Sequence, residues 1–149
     1  MSWPVVMVGL VALAGLVNRG RQIQWLRDRL EYSDSATLLG YDNSPPPAVV
    51  VNLDWLAPRA RWVEAFLQDR LDPGTHTTSG YRAPETNAAV GGAANSAHVS
   101  GLGLDVGNGW DLATSKQAAT LLEPHRQRLH IRQLYPEGDH LHIGFEGPR

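Results

Sequence analysis

A chain of 149 residues is long enough for one folded domain and too short for two ordinary ones. Its 42% hydrophobic and 19% charged residues describe a folding chain rather than a disordered one, and a net charge of -2 gives no electrostatic reason to expect a nucleic-acid partner. The absence of cysteine excludes a disulfide framework, a thiolate metal site and a cysteine nucleophile together.

The chain opens with an apolar stretch, Trp3 to Val17, that carries no charge. A spanning helix needs about 20 apolar residues, so residues 1–20 are expected to form a short membrane anchor, with membrane contact through residues 3–17. A cleaved signal is the alternative suggested by Ala12-Leu13-Ala14, although no positive segment precedes the stretch, and a buried core helix is the third. Ile23, Leu26 and Leu30 then recur at helical spacing beside Trp25. Ser33 to Ala48 ends in Pro45-Pro46-Pro47, which favours an extended, semi-rigid tether. Residues 21–48 are therefore expected to link the anchor to a domain over residues 49–149.

Within that domain, Trp62, Val63, Phe66, Leu67 and Leu71 form a stripe that predicts a helix over Pro58 to Leu71, ended by Asp72-Pro73-Gly74. Thr75 to Tyr81 reads as a strand that delivers Arg82 at its end. A short helix is expected from Pro84, then a glycine-rich loop from Gly91 to Ser96. Gly101 to Val106 is a predicted strand and Ser115 to Glu123 a predicted helix, stopped or kinked by Pro124. Ile131 to Tyr135 and His140 to Phe145 complete the domain as a hairpin. Mixed elements with a terminal hairpin give an α+β class: a small antiparallel sheet flanked by helices.

All six histidines lie between His76 and His142. His98 and Asp105 stand seven positions apart, and Asp139-His140-Leu141-His142 follows near the end. Two imidazoles and a carboxylate are a usual ligand set for catalytic zinc. Asp139 stands three residues before His142, within reach of a general base's task. On a strand His140 and His142 point the same way, with Leu141 and Ile143 turned into the core. Each signal taken alone fits a polar strand face or a tight loop. The fixed order Ser-x-His-x-x-Gly, then Asp, then Asp-His-x-His is far more specific.

The segment Ser79-Gly80-Tyr81-Arg82-Ala83-Pro84-Glu85-Thr86-Asn87, followed by Gly91-Gly92 and Ser96-Ala97-His98, resembles the M15 family of zinc D,D-peptidases and peptidoglycan endopeptidases. The likeness is greatest to a short-domain branch that also occurs in phage lysis enzymes, and it covers roughly residues 49 to 146. It implies the D,D-peptidase fold and one Zn2+ held by His98, Asp105 and His142. By the same resemblance Asp139 matches the catalytic base, Arg82 the arginine that binds substrate and steadies the reacting carbonyl, and His140 a histidine that assists the tetrahedral intermediate. Ser96 matches a serine that supports the site by hydrogen bonding. The family often has Ala two residues before the aspartate; Gly103 here is expected to loosen the strand without disturbing ligation.

The resemblance implies hydrolysis of an amide in a peptidoglycan stem peptide, by a D,D-carboxypeptidase or an L,D- or D,D-endopeptidase, with phage or prophage lysis as one setting. The loop Ala88–Ala97 and the segment Asn108–Thr114 are expected to build the pocket. A zinc-stabilised binding module of the same fold is the competing reading, opposed by retention of both Asp139 and Arg82. A non-haem Fe(II) facial triad fits less well, because its His and Asp usually lie two positions apart. The expected partner is a peptidoglycan peptide, with no nucleic acid and a monomeric chain. The expected location is membrane-anchored or exported to the periplasm or cell wall. Arg19, Arg21, Arg27 and Arg29 pull against that, since the positive-inside tendency would keep them in the cytoplasm.

Overall fold

In the computed structural model, which describes residues 28–31 and 34–149, a four-stranded antiparallel sheet carries helices on one face and a cleft on the other. The α+β class and the antiparallel sheet are thus as expected. The elements run α1 (Asp34–Leu39), α2 (Pro47–Arg70), β1 (His76–Ser79), α3 (Pro84–Ala89), β2 (Gly103–Gly107), α4 (Leu112–Leu122), a 3-10 turn (Glu123–His125), α5 (Arg126–Leu129), β3 (Ile131–Pro136) and β4 (His140–Phe145). The strand order is β1-β2-β4-β3.

Helix α2 is longer than its apolar stripe suggested. Leu53, Leu56, Ala57, Ala60, Val63, Glu64 and Leu67 are its buried residues, a spacing of three and four that keeps one face on the sheet. Pro47 occupies its first turn, where a missing N–H costs nothing. Pro58, expected to open the helix, lies inside it. It is exposed, so the carbonyl left without its N–H faces water rather than the core.

The opposite side of this layer is equally regular. Leu104 and Val106 of β2, with Leu141 and Ile143 of β4, are fully buried and meet α2 together with Ala118 and Leu122 of α4. Helix α4 starts three residues before its expected start because Asp111 caps it, accepting from the Thr114 N–H at 2.7 Å. Pro124 falls in the 3-10 turn that follows.

The stretch read as an extended tether contains α1, and its last proline is the first residue of α2. It is also stitched to the domain. Asn43 donates to the carbonyls of Glu31 (2.7 Å) and Tyr81 (3.1 Å) and accepts from the Ala83 N–H (2.8 Å). Leu30 and Ala36 are buried, and the Leu30 carbonyl accepts from the Tyr81 N–H at 2.5 Å. Arg29 donates to the Thr77 carbonyl at 3.1 Å and pairs with the buried Glu64 at 3.6 Å. Glu64 in turn accepts from the Thr77 N–H at 2.6 Å. The outward backbone groups of Thr77, on the sheet's first strand, are therefore both occupied by side chains. Among the described residues no helix is long and apolar enough to cross a membrane; the anchor or signal expected over residues 1–20 lies outside the described residues.

Candidate metal centre

The site is built on one cross-sheet row. Ser79 of β1 pairs with Asp105 of β2, Asp105 with His142 of β4, and His142 with Tyr135 of β3. Directly opposed residues share a face, so these four side chains stand on the cleft side. Alternation places Leu104 and Val106 in the core and leaves Gly103, Asp105 and Gly107 toward the cleft. The two glycines flanking Asp105 are small for a reason. A Cβ on Gly103 would lie 2.6 Å from the His98 nitrogen and 2.9 Å from its Cα; one on Gly107 would lie 2.7 Å from the Asp139 carbonyl oxygen. One glycine admits the turn bearing His98, and the other admits the tip of the β3–β4 hairpin.

His98 enters from the turn after α3. Its own N–H contacts the Ser96 Oγ at 3.3 Å, the supporting hydrogen bond expected of that serine. The His98 Nδ1 lies 2.6 Å from the Gly80 carbonyl oxygen, an acceptor only, so Nδ1 carries the proton and donates it. That leaves Nε2 as a bare lone pair in the neutral ring. Nε2 lies 3.1 Å from Asp105 Oδ1 and 3.1 Å from His142 Nδ1, and these two lie 2.9 Å apart. Three electron-rich atoms thus form a nearly equilateral triangle, which needs a cation or shared protons at its centre. Ligands about 2.0–2.1 Å from a tetrahedral zinc would stand about 3.3 Å apart, close to the observed edges. Among the described residues, His98, Asp105 and His142 are the cluster able to hold a metal ion.

Asp105 is buried, which would raise its pKa, but in the metal-free protein a hydrogen bond from His142, one from His98 when both nitrogens of that ring carry protons, and the charges of His98 and His140 outweigh burial and hold it well below the usual carboxylate range. Because the folded-state pKa is depressed, the stability it contributes is present above its unfolded value of about 3.9 and is lost as pH falls through the folded one. Acid unfolding of the metal-free protein should therefore be less steep at low pH in Asp105→Asn than in the wild type, followed by circular dichroism.

Other charged groups gather around this triangle. Arg82 Nη2 lies 3.9 Å from Asp105 Oδ2 and 3.4 Å from Ser79 Oγ, to which it donates. The Arg82 N–H donates to the His98 carbonyl at 3.1 Å, tying the Ser-Gly-Tyr-Arg segment to the ligand turn. His140 Nε2 lies 3.7 Å from Asp105 Oδ2 and 3.4 Å from Glu137 Oε2. Asp139 is exposed, and its carboxylate takes the His140 Nδ1 at 2.5 Å. That hydrogen bond, with the charge of the same imidazole, holds the Asp139 carboxyl below its ordinary range. All of these but Asp139 open into a cleft of about 530 Å3, lined by Arg82, His98, Asp105, His140 and His142, by loop residues that include Val90, Ala93 and Asn95, and by Gln133, Tyr135 and Glu137 of the hairpin.

The family model described as Peptidase M15 matches residues 26–143. The chain belongs to the peptidase M15 family. No curated protein and no solved structure matches it. The match takes in residues ahead of 49, among them the buried Leu30 and Ala36 and the hydrogen-bonded Asn43.

For this M15 chain, Arg82, His98, Asp105, His140 and His142 all face one cleft, while Asp139 sits at its rim with the His140 ring between it and Asp105. His76, His125 and His130 stand elsewhere; His125 packs on Trp62 and Phe66, and His130 on Trp55. The loop Ala88–Ala97 does line the cleft, but Asn108–Thr114 does not. Trp110 is buried with its indole N–H on Asp72 at 2.8 Å, and Asp111 is engaged as a helix cap, so this segment faces away. Its place is taken by Tyr135 and Glu137, which were not among the expected site residues. Tyr135 stands between the partly buried Leu134 and Pro136, and only its pairing with His142 of β4 assigns it to the cleft face.

Gly103 has a role beyond the one expected: without a Cβ it allows the His98 backbone to approach the strand. Gly103→Ala should push backbone against backbone, lowering zinc affinity about 10–100-fold by misplacing a ligand. It should cost about 1–3 kcal/mol of stability through overpacking. Competition with a chromophoric chelator and thermal melts would measure both.

Proposed function

We propose that this M15 chain is a zinc metallopeptidase that hydrolyses an amide bond in peptidoglycan stem peptides. The supporting observation is the convergence of His98 Nε2, Asp105 Oδ1 and His142 Nδ1 at the base of an open cleft, with a guanidinium beside them. The donor set is two imidazoles and one carboxylate, with no thiolate, and it leaves the cleft side open, which suits catalytic zinc. When bound there, zinc lowers the pKa of water to about 7 and polarises a substrate carbonyl.

The chain's own residues supply the rest. Arg82, fixed by Ser79 and by the His98 carbonyl, donates to the carbonyl oxygen as negative charge develops on it. Asp139, ionised at neutral pH, accepts the proton from the attacking water and returns it to the leaving amine. Its exposed side chain meets the outer nitrogen of the His140 imidazole, which lines the cleft. His140 Nε2 faces the reacting centre from the other side of Asp105 and supports the tetrahedral state. The apolar segment Trp3–Val17 suits attachment to, or export across, a membrane beyond which such a polymer lies.

Incubating the full chain with purified peptidoglycan, with zinc or with a chelator, and reading products by mass spectrometry tests this. New peptide termini that appear only with the metal are the expected result, and their masses name the bond. Intact peptidoglycan in the presence of a folded, zinc-loaded chain would instead identify a binding module. Arg82→Ala should keep its zinc and lose about 10²–10³ in turnover, the usual effect of removing one such donor. Steady-state kinetics beside metal analysis checks it.

A further inference from the structure

The cleft has a second wall that this reaction leaves unused. Tyr135 stands opposite His142, and the Glu137 N–H donates to the His140 carbonyl at 2.9 Å as the hairpin closes. Cross-strand partners share a face, so Tyr135 and Glu137 look into the cleft beside the two histidines. The Tyr135 ring lies nearly parallel to His142, at 14° with centroids 6.1 Å apart, yet the residue is 55% exposed. An aromatic ring left this open on a cleft wall is a surface for an alkyl chain or a cation. Glu137, just beyond it, has a side chain 55% exposed and lies 3.4 Å from His140 Nε2.

The cleft is therefore electrically asymmetric. Arg82 is on the β1 side, the Glu137 carboxylate on the β3 side, and the ligand triangle between them. Asp139 does not contribute to the β3 wall, since its carboxylate is turned onto His140 Nδ1 outside the lining. A ligand that complements both ends carries an anionic or carbonyl oxygen toward Arg82 and a cation toward Glu137.

We propose that Tyr135 and Glu137 form a subsite for a free primary ammonium on the substrate, so that the preferred substrate is a peptide with a diamino-acid residue next to the scissile amide. The methylene stem of that residue lies along the Tyr135 ring, and its ammonium meets the Glu137 carboxylate. Acylation of the amine, as in a cross-linked chain, removes the charge and the preference with it. The inference rests on the peptidase reading of the cleft, and Glu137 and Tyr135 are assigned to specificity rather than chemistry.

Two peptides that differ only in a free or acetylated side-chain amine make the test. Binding is measured by calorimetry to the zinc-loaded Asp139→Ala chain, with and without Glu137→Gln, and turnover is measured with the wild type and Glu137→Gln. The expected result is about tenfold tighter binding and lower KM for the free amine, a preference that Glu137→Gln reduces to about one while kcat changes little. Tyr135→Ala should weaken binding of both peptides. Equal binding of the two peptides by the Asp139→Ala chain, or a preference that survives Glu137→Gln, overturns the subsite. An equal loss of kcat on both peptides with the preference intact also overturns it, since Glu137 would then only steady His140. A Glu137-dependent binding preference without cleavage by the wild type keeps the subsite and rejects the peptidase reading. No binding of either peptide rejects both.

Discussion

The His98→Ala chain is expected to purify without zinc and without activity. His98 supplies one corner of the triangle, and its Nδ1 contact with the Gly80 carbonyl fixes the ring with Nε2 toward Asp105 and His142. Two ligands remain, Asp105 and His142, 2.9 Å apart, too few for a structural or catalytic zinc site. The change also removes the His98 contact that helps hold the buried Asp105 ionised, leaving His142 and, more distantly, His140. Wild-type chain should bind about one zinc and lose several degrees of melting temperature on chelation, because a ligand that binds the folded state stabilises it by mass action. The variant should show neither the metal nor the chelator response. Full zinc content together with undiminished turnover in His98→Ala would remove the ligand assignment altogether.

Asp139→Ala is expected to separate chemistry from metal binding. Proton transfer by a positioned side chain is worth about 10²–10⁴ in rate, so turnover should fall by that factor. Zinc content should not change, because Asp139 touches none of the three ligands and meets only the outer nitrogen of His140. The position of the His140 ring sharpens the experiment. If Asp139 works directly on the water, His140→Ala loses less than Asp139→Ala. If Asp139 works by orienting His140, the two losses are equal and the double variant adds nothing further, the non-additivity of residues that act as one unit. Turnover within a few-fold of wild type in Asp139→Ala would rule out its role as the base in either form.

Much of this was legible in the sequence where chemistry is local. The alternation of His140, Leu141, His142 and Ile143 fixed which side chains faced the cleft and which the core, and burial agrees, with Leu141 and Ile143 fully enclosed. Glycines and prolines marked the turns on either side of β1 and between β3 and β4. Register was not legible. Nothing in the order of residues tells that Ser79, Asp105, His142 and Tyr135 form one row, because pairing is decided by long-range packing of the sheet on α2. Glu137 and Tyr135 were missed for that reason. Asn43 was missed for another: a lone amide in a proline-rich stretch reads as loop, and only the fold reveals its three hydrogen bonds across the Tyr81–Ala83 turn. Pro58 misled because proline is as welcome at a helix start as it is tolerable on a solvated helix face.

The pairing of Arg29 and Glu64 with the backbone of Thr77 bears on how this protein avoids sticking to itself. A terminal strand offers a row of unpaired amides and carbonyls to any passing extended chain, the usual seed of aggregation. Here both groups of Thr77 are sequestered by one acid and one base, one from α2 and one from the segment ahead of α1. A shortened chain that begins at residue 49 keeps the acid on the Thr77 N–H and loses the base, so the Thr77 carbonyl is uncovered and Glu64 is left without its guanidinium partner. Residues that lie far from the metal cluster thus cover the backbone at the outer edge of the sheet that carries it.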